Sequence, residues 1–81
     1  MTKKEKNTLI DMYRKAVQNS IILMDMVQGA ETEEEHNNLY ADWCKRHGAE
    51  DILWDILYNV CHMSEADIYL ITNQAETDVE L

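Results

Sequence analysis

Proline and phenylalanine are absent from this 81-residue chain, and glycine occurs only twice, at Gly29 and Gly48. With 46% hydrophobic residues, that composition fits a globular helical protein and excludes a disordered or fibrous one. No apolar stretch approaches the roughly 18 residues that cross a bilayer. The start, Met1-Thr-Lys-Lys-Glu-Lys, runs into an amphipathic pattern instead of a signal-peptide core, so the chain is expected to stay in the cytoplasm. Two cysteines, Cys44 and Cys61, are too few for a disulfide scaffold and fit a reducing compartment.

Positive charge is missing from almost half of the sequence. Lys3, Lys4, Lys6, Arg14 and Lys15 supply five of the seven basic residues, Lys45 and Arg46 the other two, and none follows. Beyond Arg46 come Glu50, Asp51, Asp55, Glu65, Asp67, Glu76, Asp78 and Glu80, and the formal net charge is −9. A nucleic-acid binder needs cations to displace phosphate counterions, which excludes direct DNA or RNA binding by this half. A basic surface on a protein partner is its complement.

Length sets one domain over 1–81, and a domain this small buries only about 60% of the surface its unfolded chain exposes. The pattern predicts an all-α bundle of about four helices. The first spans 3–28, with Leu9, Tyr13, Ala16, Val17, Met24 and Val27 at three- and four-residue steps and Gly29 as its stop. Ile22 and Met26 fall off that stripe. A four-helix arrangement favours sandwiching them between neighbours; an exposed helix-to-helix contact is the alternative.

Thr32 with Glu35 forms a capping box for a second helix, expected to end at Gly48. Its inward face carries Leu39 and Trp43 with His36, Tyr40, Cys44 and His47. A third helix, over 50–62, is apolar on most sides and is expected to be central, with a polar stripe of Asp51, Asp55, Asn59 and His62. Ser64 with Asp67 caps a fourth, helped by a Met63–Ile68 hydrophobic staple. That helix is expected to fray near Gln74, leaving 75–81 as an acidic tail.

Four constellations could carry chemistry. Cys44 and His47 share a helix face and could grip a structural zinc ion, with Cys61 and His62 completing the site and His36 in reserve. This would require the second and third helices to cross, or the third to bend near its end. Buried cysteines and ordinary hydrogen-bonded histidines are the plainer reading. A cysteine–histidine nucleophile lacks a glycine-rich elbow, an oxyanion hole and a cleft, so catalysis is not expected. A helix-turn-helix over 54–74 would present a recognition helix with two acids and no base, which phosphates repel. The acidic surface itself, from Glu31 to Glu35 and from Glu50 to Glu80, with Glu50, Asp51, Asp55, Glu65 and Asp67 as its candidate contacts, could occupy a groove built for phosphates, or serve only as a solvated face.

A very small, acidic, helical chain without a catalytic signature resembles the anti-CRISPR proteins of phages and mobile elements, in particular inhibitors of type II RNA-guided nucleases. The resemblance is one of character over the whole chain. It implies a non-enzymatic inhibitor, in the host cytoplasm, that covers the effector's basic surface and keeps target DNA out of its heteroduplex channel. Some members of that group contain a metal, in keeping with a zinc-stapled scaffold. The alternative is a helical adaptor or antitoxin-like regulator that works through helix-to-helix contacts at Ile22 and Met26.

Overall fold

Capping residues set the frame of this fold. In the computed structural model, which describes residues 2–79, three helices follow one another: α1 (Lys3–Gln28), α2 (Glu33–Asn59) and α3 (Glu65–Asp78). Each begins as the sequence predicts or close to it. Thr2, Thr32 and Ser64 are the N-caps, their hydroxyls accepting from the backbone N–H of Glu5, Glu35 and Asp67 at 3.1, 3.1 and 3.2 Å. Each bond satisfies one of the N–H groups that a helix start leaves without a carbonyl.

The chain is all-helical, but with three helices where four were expected, because α2 does not stop at Gly48. Glycine in a helix interior costs about 1 kcal/mol relative to alanine. Breaking the helix would cost more, since the pairing of α1 with α2 is the most extensive contact between helices in the structure. Gly48 has an ordinary negative φ, and a Cβ built on it would meet nothing within 4 Å.

α1 and α2 therefore pair as a long antiparallel hairpin through the turn at 29–32. α3 folds back from the far end and lies parallel to α1, because Tyr13 meets Thr72 and Gln18 meets the Ala75 carbonyl. The molecule is a rod of 46 × 21 × 19 Å with a radius of gyration of 14.2 Å. A rounder domain of this length would have about 12 Å, so little of the chain is interior.

The core gathers where all three helices meet. Tyr13 and Val17 of α1, Leu57 of α2, and Ile68 and Ala75 of α3 are buried together, with Leu53, Trp54, Met63 and Ile71 packed round them. Met63 packs against the core that contains Ile68, where the staple was expected. The expected tail does not: α3 continues to Asp78, and Ala75 is sealed in the core. Glu80 and Leu81 of that tail lie outside the described residues.

With no fourth helix to surround it, the segment over 50–59 is not central, and Ile52 is 63% exposed. For the same reason Ile22 and Met26 are not sandwiched, at 42% and 48% exposure. At about 100° per residue, both point away from α2 and α3.

Two measurements test this packing. Gly48→Ala should stabilise the protein by about 0.5–1 kcal/mol, seen as a rise in Tm of about 2–8 °C; a fall in Tm would mean the chain breaks at 48. Tyr13 offers the second. Burial pushes its phenol above the ordinary value of 10.0, the Thr72 hydrogen bond opposes this, and Glu50, Tyr69 and Asp51 add to it. The folded state then holds that proton longer than the unfolded state does. Its contribution is complete below pH about 10 and is lost as pH rises through the folded value. Denaturant titrations should show stability falling along that alkaline limb, and Tyr13→Phe should flatten it.

Candidate functional site

The four expected zinc ligands are not brought together. Cys44 and His47 stand in the middle of α2, while Cys61 and His62 follow its C-terminal end. Because the helix is unbroken, 15 residues from Cys44 to Asn59 hold the two pairs about 22 Å apart at about 1.5 Å per residue. His36 lies about 12 Å from Cys44 in the other direction by the same measure. Among the described residues, no group of three or more His, Cys, Asp or Glu is gathered so that it could hold a metal ion. The donor set therefore does not fit a structural zinc. Cys44 is exposed on α2, and Cys61 is half-buried against the core.

His62 has a different role. It takes a left-handed φ of 57°, in a last turn where the Cys61 N–H reaches back to the Ile56 carbonyl and the Met63 N–H to Leu57. This turns the chain toward α3. For a residue with a Cβ, that conformation costs roughly 1–2 kcal/mol.

The acidic residues are where the sequence placed them, and almost nothing neutralises them. Asp51, Asp55, Glu65 and Asp67 are exposed. Asp51 and Asp55 stand one turn apart on α2, and Glu65 and Asp67 occupy the first turn of α3, where the helix dipole favours them. Among the described residues the ion pairs are Arg14–Asp11 at 3.2 Å and His47–Glu50 at 3.5 Å. Neither provides a Lys or Arg for any acid after Arg46.

Sequence reasoning missed a groove. On α2, the positions 36, 40, 43, 47, 50, 54 and 57 alternate steps of four and three, the spacing of a helix-packing seam. The lower part of that seam, Trp54 and Leu57, packs on the three-helix core. Its upper part carries a ladder of stacked rings: His36 on Tyr40, Tyr40 on Trp43 and Trp43 on His47, with centroids 6.3, 5.7 and 4.9 Å apart.

α1 does the same. Tyr13 and Val17 pack on α3, and the stripe continues through Ile21, Met24 and Gln28 beyond the end of that helix. Between the two stripes runs an open groove of about 380 Å³. Val17, Ile21, Met24 and Trp43 line it, and Asp25, Glu50 and Glu76 supply its charge. The 4-3 alternation was present in the sequence, but ending a helix at Gly48 cuts it in two.

No protein-family model, curated protein or solved structure matches this chain. What it does has to be argued from these side chains.

His62→Gly tests how the end of α2 works. Relief of the left-handed backbone should raise stability by about 1 kcal/mol, with Tm unmoved by a metal chelator in both proteins. A lower Tm in the variant, together with chelator sensitivity in the parent, would instead show His62 holding a metal.

Proposed function

We propose that this protein is a non-enzymatic binding protein whose acidic surface covers a basic, nucleic-acid-binding surface of a protein partner. One observation carries the reading: among the described residues no lysine or arginine pairs with a carboxylate after Arg46, the ion pair there being that of His47 with Glu50. Exposed acids at helical spacing can meet lysines and arginines that otherwise hold phosphates, and such contacts give speed and selectivity of association. With its character of a small acidic inhibitor, the chain has a type II RNA-guided nuclease as its first candidate partner, and blocked loading of target DNA as its mode of action. It acts in the cytoplasm that holds that effector.

The exposure of Ile22 and Met26 favours a second reading, an adaptor or antitoxin-like regulator that docks through helix-to-helix contacts. The two readings predict opposite behaviour in salt. Binding to a guide-loaded type II nuclease, and to unrelated basic nucleic-acid-binding proteins, should be measured at low and high ionic strength. On the acidic reading, affinity falls steeply with salt, target DNA competes, and Asp51→Lys with Asp55→Lys weakens binding about tenfold or more, some 1.4 kcal/mol. Binding that ignores salt and disappears in Ile22→Asp would replace it with the adaptor.

A further inference from the structure

We propose that the groove beyond the end of α3 docks a basic amphipathic helix of a partner protein, about two turns of it. The inference rests on the reading that the partner is basic, and it names the segment that is recognised. Its shape comes from the fold. Tyr13 is level with Thr72 and Gln18 with Ala75, so α3, ending at Asp78, stops level with about residue 20 of α1, and about 12 Å of α1 extends beyond it at about 1.5 Å per residue.

The groove continues the seat that α3 already fills. Tyr13 and Val17 of α1, with Trp54 and Leu57 of α2, receive Ile68, Thr72 and Ala75. One to three turns further on, Ile21 and Met24 face Trp43 and His47 across the groove in the same register. A seam of 4-3 spacing is complementary to another helix with apolar residues at the same interval.

Charge decides which helix. Asp25, Glu50 and Glu76 surround the apolar floor, and no lysine or arginine lines it. Glu50 is held largely inside, with its side chain 18% exposed and His47 as its ion-pair partner. A helix with leucine-like residues on one face and lysine or arginine on its flanks would place each cation against one of these carboxylates. A second copy of this chain is the poorer occupant, because at a net charge of −9 each copy repels the other.

The probe is a synthetic 18-residue peptide with leucine and lysine at helical spacing, its control the same peptide with glutamate for lysine. Both are titrated into the full, ¹⁵N-labelled chain while amide shifts are followed. The lysine peptide should move the signals of Ile21, Met24, Trp43 and His47, and the glutamate peptide none. Met24→Lys should weaken that binding at least about tenfold, and Leu70→Gln, an exposed position outside the groove, should leave it unchanged. If Met24→Lys does not fold, Glu76→Lys on the surface of α3 gives the same comparison.

Absence of lysine-peptide binding, shifts confined to the Asp51–Asp55 side, or a dimer in sedimentation that Met24→Lys dissociates would each overturn the groove as a docking site. Failure here differs from failure of the wider reading. Salt-dependent binding to a basic protein that survives Met24→Lys removes the groove alone. A docked lysine peptide, combined with salt-independent binding to the protein partner, removes the acidic-surface reading and leaves the groove standing.

Discussion

The antiparallel pairing of α1 with α2 along their full length is the constraint on which everything else in this molecule depends. A single helix of either length would be marginal in water without an apolar face to bury. Paired, the two bury their apolar faces on each other, and that pairing favours an unbroken α2 through Gly48 against the residue's own preference. α3 then needs only a short seat. Ile68 and Ala75 fill the space between Tyr13, Val17 and Leu57, and Thr72 meets the one hydroxyl buried there. The core is small because the third helix is short, and the exposed apolar side chains elsewhere follow from the same shortage of a covering layer.

That unequal length also gives the upper hairpin its character. Leucines along an open seam would be costly to leave in water, whereas tyrosine, tryptophan and histidine combine an apolar ring with a polar group that water can reach. The ladder from His36 to His47 uses those three residue types. Stacking lets each ring shelter the next while one side stays open. Lower on the same helix, where α3 covers it, the stripe changes to Leu53, Trp54 and Leu57.

Signals made within four or five residues could be read from the sequence. The hydroxyls of Thr32 and Ser64, the packing of Met63 against the core that contains Ile68, the stop at Gly29 and the all-helical class all formed as their local chemistry required. What could not be read depended on distant partners. Gly48 looks like a stop until α1 lies beside it, and a break there both creates a fourth helix and folds Cys44 and His47 back toward the third. Once α2 is straight, that metal cluster separates. Ala75 to Asp78 looks like a tail because its sequence is polar, yet Ala75 is the small residue that lets α3 approach α1, and Gln18 secures its carbonyl. The acidic character of the second half needed no structure to be seen. That no lysine or arginine reaches those acids among the described residues did.

An acidic body and an open apolar seam contribute to different parts of a binding event. Carboxylates spread over 46 Å of rod set up a field that draws a cationic partner in from beyond contact distance, which raises the rate of encounter and makes it sensitive to salt. They hold little once contact is made, since exposed ion pairs contribute about 0–1 kcal/mol each. Residence time depends instead on buried contact, and on this molecule the groove of Val17, Ile21, Met24 and Trp43 is apolar, helix-shaped and ringed by the same charge. A partner attracted by the surface but unable to enter the seam would leave quickly. One that supplied a basic helix would be both attracted and retained, so the selectivity of this chain resides in the seam and its reach in the charge.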